Sequence, residues 1–151
     1  DYDLCFRIYQ NRLRIVGLDK VLHYWRDRSE RISRTWDCYK DNRYFELKLH
    51  YFYKLDRERS RPLVVWGAGR NGKDLVKGIL GYEPTIYWTC QNERKIGKEI
   101  YGLLMHPITI IEELSQPQVL IAVTAETDKV RIRKHLDARG KQPIKDFWFF
   151  I

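Results

Sequence analysis

Leu63-Val64-Val65-Trp66-Gly67-Ala68-Gly69-Arg70-Asn71-Gly72-Lys73 is the stretch on which the fold turns. Its first four residues are an unbroken apolar run, the pattern of a strand buried on both faces. The run leads directly into Gly-x-Gly-x-x-Gly at 67–72. Lys73–Leu80 follows with Leu75, Val76, Ile79 and Leu80 on one helical face, and Gly81 is placed to end that helix. Strand, glycine turn and helix in this order open a Rossmann-type βαβ unit.

Toward the C-terminus the alternation continues. Thr85–Thr89 reads as a second strand, Ile110–Leu114 as a short helix, and Val119–Val123 as a third, buried strand. A longer helix follows with Thr127 as its N-cap, Asp128 in the positive first turn, Val130, Ile132 and Leu136 facing inward, and Gly140 at its end. Phe147–Ile151 supplies a fourth strand. The expected class is α/β: a small parallel Rossmann-like sheet with helices on both faces. Ligands in such a sheet sit at the carboxyl ends of the strands, where the 67–72 loop and the segments after Thr89 and Val123 lie.

Toward the N-terminus, Arg57-Glu58-Arg59-Ser60-Arg61-Pro62 has linker character: it is charged, contains no apolar residue, and closes on a proline that disfavours helix before it. A domain boundary is therefore expected between 1–60 and 61–151, with 61–151 closing its sheet unaided. The first sixty residues read as a helix over Tyr2–Gln10, strands at Leu13–Val16 and Val21–Trp25, and a long aromatic helix over Asp37–Leu55.

Composition narrows the function classes. The formal net charge is +8, with 14 basic and 10 acidic residues in 1–60 and the same numbers in 61–151. A nucleic-acid module concentrates its cations on one element, so this even spread permits a nucleic-acid partner without demanding one; an anionic ligand such as a diphosphate explains it equally well. No apolar run approaches the roughly 20 residues of a membrane span. Cys5, Cys38 and Cys90 are odd in number and widely spaced, and the four histidines have no metal-binding spacing, so neither a disulfide framework nor a metal site is expected, and a reducing, cytoplasmic setting fits. The start at Asp1-Tyr2-Asp3-Leu4, without Met and unlike a signal peptide, reads as a fragment of a longer protein.

The glycine loop has a physical role to offer. Gly67 permits the tight turn, Gly69 lets a phosphate approach the backbone, and Gly72 allows close helix–strand packing, with Arg70 and Lys73 adding positive charge. A dinucleotide site also wants an acid ending the second strand to hold the ribose hydroxyls. Thr89, Cys90 and Gln91 stand there instead, with Glu93 the nearest acid, which counts against NAD. The segment Trp25–Arg34 brings Arg26, Arg28, Arg31 and Arg34 together with Ser29 and Ser33. It is either a solvated loop or a set of donors for a leaving diphosphate.

Asp1-Tyr2-Asp3-Leu4-Cys5-Phe6-Arg7, Arg14-Ile15-Val16 and Val21-Leu22-His23-Tyr24-Trp25-Arg26, with Ser33, resemble the closing part of an inverting family-2 glycosyltransferase of GT-A fold. The resemblance implies that residues 1–60 are the end of the catalytic domain. It makes Asp1 the general base that deprotonates an acceptor hydroxyl, and Arg26, Arg31 and Ser33 part of the segment closing over the donor diphosphate. The family often carries a His two residues after the Arg that Arg26 matches, and this sequence has Arg28 there. Val65–Gly72, Ile96-Gly97-Lys98 and Ile100-Tyr101-Gly102 are similar to the C-terminal extension of some bacterial members and of the queuosine-tRNA galactosyltransferase, or β-1,3-N-acetylglucosaminyltransferase-like, family. The glycine loop is also similar to that of the small Rossmann domains preceding sugar acyltransferases.

By this resemblance the parent protein moves a sugar from a nucleotide-diphosphate donor to a hydroxyl acceptor with inversion. A divalent metal is implied only in a donor-binding half that these residues do not include, so no cofactor is expected within the chain and the chain alone is expected to be inactive. The alternative is a non-catalytic Rossmann-type module that binds a nucleotide or nucleotide sugar, with Gly67, Gly69, Arg70 and Gly72 as its binding residues.

Overall fold

The computed structural model describes residues 2–31, 35 and 44–151. It is a mixed α/β structure built on one six-stranded sheet. The strands are β1 (Leu63–Trp66), β2 (Tyr87–Thr89), β3 (Glu99–Ile100), β4 (Leu103–His106), β5 (Gln118–Ile121) and β6 (Phe147–Phe149), in the order β3-β4-β2-β1-β5-β6. All neighbours pair in parallel except β3 with β4. Counted without β3, the parallel strands run third-second-first-fourth-fifth, the order of an open doubly-wound sheet.

The helices are α1 (Tyr2–Gln10), α2 (Tyr44–Tyr51), α3 (Arg70–Leu80), α4 (Ile110–Glu113) and α5 (Glu126–Asp137), and α2 continues into a π-helical turn at Phe52–Asp56. Side chains of β1 alternate between two cores, as the pleat requires. Leu63 and Val65 join Leu75, Val76 and Ile79 of α3 on one face, together with Phe45, Leu49 and Phe52 from α2 and its π turn. Val64 and Trp66 join Ile110 and Ile111 of α4 and Ile132 and Leu136 of α5 on the other. The buried cluster thus continues across residue 60. A Cβ on Gly78 of α3 would come within 2.8 Å of Leu49 Cδ1, so α2 seats against α3 at a residue without a side chain.

The charged segment expected as a linker is an anchored one. Arg57 donates from Nε and both terminal nitrogens, to the carboxylate of Glu83, to the Arg61 carbonyl at 2.8 Å and to Gln118 Oε1 at 2.9 Å. Arg61, also buried, donates to the Gln116 carbonyl at 2.7 Å and to Asp146 Oδ1 at 2.5 Å. Gln118 closes the network by donating to the Asp56 carbonyl at 2.8 Å. The Arg57 and Arg61 side chains can be buried in this way because nearly every guanidinium donor meets an acceptor, while Glu58, Arg59 and Ser60 between them stay exposed.

Helix α1 docks on α2 and its π turn. Phe6 stacks on Tyr51 at 4.6 Å, Tyr51 donates to Asp3 Oδ1 at 2.8 Å, and Tyr9 donates to Asp56 Oδ1 at 2.8 Å. Burial raises the pKa of Asp56 above the ordinary aspartate range, although the Tyr9 hydroxyl bond pulls it back down.

Five local expectations are corrected. Leu13–Val16 and Val21–Trp25 are not strands: they run as coil with side chains such as Leu13, Val16 and Trp25 exposed by 63–72%. Strand propensity is a fit to neighbouring strands, and none pairs with these segments among the described residues. Helix α3 starts at Arg70, three residues before the expected Lys73, so that Gly72 lies within it; the helix expected over Asp37–Leu55, by contrast, is present from Tyr44 through the π turn, residues 37–43 lying outside the described set. Helix α5 starts one residue before Thr127 and is capped at Ala125 without a side-chain bond. Val130 is half exposed, because two residues at about 100° each place it on the opposite side from Ile132. The sheet has two strands more than expected, since Tyr101 (φ 57°) and Gly102 (φ 74°) form a left-handed two-residue turn that folds β3 back on β4. No helix among the described residues is long and apolar enough to cross a membrane.

Candidate functional site

The chain leaves β1 toward β2 on one side and later crosses to β5 on the other, so the loops after β1 and β5 diverge at the carboxyl edge of the sheet. A cleft of about 230 Å³ opens there, with Gly67, Gly69, Cys90, Lys95, Val123 and Asp128 in its wall. A second cleft of about 280 Å³ adjoins it over Gly69, Arg70, Asn71 and Thr124. This is the topological switch point at which open α/β sheets hold ligands.

The three glycines of the loop are glycines for different reasons. Gly67 has φ +134°, and a Cβ on it would lie 2.8 Å from the Ala122 carbonyl oxygen. A Cβ on Gly72 would lie 1.9 Å from the Gly67 carbonyl oxygen, so α3 can start this close to β1 only without a side chain. Gly69, the N-cap of α3, has φ −78° and ψ −171°, which any residue adopts, and a Cβ on it would meet nothing within 4 Å.

Hydrogen bonds fix which way the loop peptides face. The Gly67 carbonyl accepts from Trp88 Nε1 at 2.7 Å and the Ala68 carbonyl accepts from Lys95 Nζ at 2.6 Å. In a trans peptide the N–H points opposite to the C=O, so these two bonds turn the N–H groups of Ala68 and Gly69 the other way. Neither N–H has an acceptor among the described residues, whereas Gly67 N–H donates to the Thr89 carbonyl at 2.9 Å. The first bond within α3 runs from Lys73 N–H to the Gly69 carbonyl at 3.1 Å. Backbone donors and the positive end of α3 therefore converge beside Gly69.

The end of β2 offers no acid to this cleft. Thr89 is buried with its hydroxyl donating to the His106 carbonyl at 3.0 Å, Cys90 is buried with its thiol 3.7 Å from the Asn92 carbonyl, and Glu93 is exposed and outside both clefts. Lys95 reaches the loop instead, a residue that the sequence pattern does not single out because its role depends on the chain turning back after Asn92. The carboxylate in the cleft is Asp128, in the first turn of α5, with Arg131 at 3.8 Å.

Gly67, Gly69, Arg70 and Gly72 are thus brought together at one turn. The residues matched to a donor-diphosphate segment are not joined to them. Arg26 is exposed, and Arg31 lies 3.4 Å from Asp27 Oδ1 and 4.9 Å above the Trp25 ring. Neither lines the clefts at the glycine loop. Asp1 and Ser33 lie outside the described residues. Among the described residues, no group of three or more His, Cys, Asp or Glu side chains is placed to hold a metal ion. The chain matches no protein-family model and no curated protein.

Proposed function

We propose that residues 61–151 of this chain are a Rossmann-type module that binds a phosphate-bearing ligand of the nucleotide or nucleotide-sugar class at the switch point between β1 and β5. The observation that carries this reading is Gly69. The fold itself requires Gly67 and Gly72, but nothing among the described residues fills the space in front of Gly69, and two backbone donors face out beside it. The end of β2 has no acid to hold ribose hydroxyls, and Lys95 reaching the loop favours phosphate charge instead. The reading of the parent as an inverting glycosyltransferase stands on the resemblance of residues 1–35, and would make this module its C-terminal extension.

Calorimetric titration with UDP, UDP-sugars and NAD tests the proposal, using the wild-type chain and Gly69→Val. UDP or a UDP-sugar should bind more tightly than NAD. Gly69→Val should melt within a few degrees of wild type yet bind at least about tenfold more weakly, since the added side chain stands where the phosphate approaches. Gly72→Ala should instead lower the melting temperature. Absence of binding by all these ligands, or equal binding by Gly69→Val, overturns the proposal.

A further inference from the structure

A groove of about 380 Å³ runs from the glycine loop along α3, lined by Gly69, Arg70, Lys73, Lys77, Lys95, Tyr101 and the carboxylate of Asp74. It shares Gly69 and Lys95 with the switch-point cleft, so a single ligand can lie across the loop and reach both. Among the described residues, no carboxylate lies within 4.0 Å of the ammonium groups of Lys73, Lys77 or Lys95. Two of the three are oriented by neutral partners: Lys95 by the Ala68 carbonyl at 2.6 Å, and Lys77 by the face of Tyr101 at 5.1 Å. A carbonyl and an aromatic face hold an ammonium in place without cancelling its charge. Lys73 and Lys77 are also four apart on one helix, a like-charge pair that raises the free energy of the empty groove.

We propose that the ligand carries a diphosphate, one phosphate on the backbone donors of Ala68 and Gly69 and the next in the groove against Lys73, Lys77 and Lys95. This rests on the reading of the glycine loop as a phosphate site and specifies its ligand. A monophosphate seated at Gly69 leaves the groove lysines unanswered. A diphosphate brings them a second charge within reach, and its oxygens accept the charge-assisted bonds that three ammonium groups offer.

UMP, UDP and inorganic pyrophosphate, titrated against the full chain and against Lys73→Gln/Lys77→Gln, separate the two readings. UDP should bind at least about tenfold more tightly than UMP, and the difference should shrink as salt rises from about 50 to about 300 mM. The double variant should bring UDP to about the affinity of UMP while leaving UMP unchanged. Pyrophosphate should compete with UDP in the wild type. If UMP and UDP bind wild type equally, or if the double variant weakens both alike, the diphosphate proposal fails while the phosphate site stands. If neither nucleotide binds, both readings fail together.

Discussion

Replacing Glu83 by Gln isolates the charge that holds the segment before β1 against the sheet. Glu83 is 7% exposed and accepts from Arg57 through two nitrogens, at 3.0 Å from one terminal nitrogen and at 3.2 Å from Nε, while Arg59 reaches it at 2.6 Å from solvent. The Arg57 side chain is only 4% exposed. In Glu83→Gln its guanidinium stays buried without a counter-charge, and removing one member of a buried pair costs about 3–5 kcal/mol. The Arg61 carbonyl and Gln118 Oε1 still accept from Arg57, and the Gln amide keeps one acceptor, which places the loss at the lower end, about 3 kcal/mol. For a chain of this size that is roughly a 10 °C fall in melting temperature. Arg59→Gln is the control: its side chain is 58% exposed, so its bond to the same carboxylate should contribute about 1 kcal/mol or less. Calorimetric melts of the three proteins at one ionic strength decide the matter. A fall of under 2 °C for Glu83→Gln, or equal falls for the two variants, would refute the assignment of this network to a buried charge.

Two further outcomes follow from the same packing. Residues 61–151 expressed alone should bind hydrophobic dye and lack a cooperative melt, because losing Phe45, Leu49 and Phe52 removes about 5–9 kcal/mol of apolar burial from a typical total of 5–15 kcal/mol; a cooperative melt like that of the whole chain would contradict this. In acid, burial acts to raise the pKa of Asp146, but the Gln142 N–H and the Arg61 guanidinium outweigh it and hold the carboxyl below its ordinary value. The stability from this depressed pKa is fully present above the unfolded aspartate value of about 3.9 and is lost as pH falls through the folded value, so Asp146→Asn should remove that part of the acid-side slope in urea melts below about pH 4, and an unchanged slope would sink the idea. Asp56, raised by burial, acts in the opposite sense, which is why the variant rather than the wild-type curve alone is informative.

The opening of the sheet could be read from sequence because its signals are local. A continuous apolar run, glycines and a helical period follow one another within 63–81, and β1 and the helix end at Gly81 lie where that pattern puts them, while α3 starts three residues earlier, at Arg70. The buried arginines could not be read in this way. Whether Arg57 and Arg61 face solvent depends on Glu83 and Asp146, 26 and 85 residues away, and local composition carries no trace of either partner. The hairpin β3–β4 was illegible for a different reason. A two-residue strand has no period to detect, and its turn is Tyr101-Gly102 rather than one of the glycine and asparagine pairs that mark such turns. The segments at 13–16 and 21–25 err in the reverse direction, having strand propensity without a strand to pair with.

The candidate site divides along the same line, and the division bears on what a glycine motif means. All three glycines match the pattern equally in sequence, yet they answer different neighbours: Gly67 a backbone turn and the Ala122 carbonyl, Gly72 the Gly67 carbonyl, and Gly69 nothing among the described residues. The first two would be needed in any tight strand–helix turn, whether or not it binds a ligand. A motif match rests on all three at once and so cannot separate a closing turn from a binding loop. Open space in front of Gly69 and the outward-turned N–H groups, both seen among the described residues, are what the proposal of a binding loop adds to the motif, and they arise only when segments distant in sequence meet. Lys95 joins these features: the bond that turns the Ala68 peptide is also the one that holds a positive charge beside Gly69, so one side chain sets both the geometry and the field of the loop.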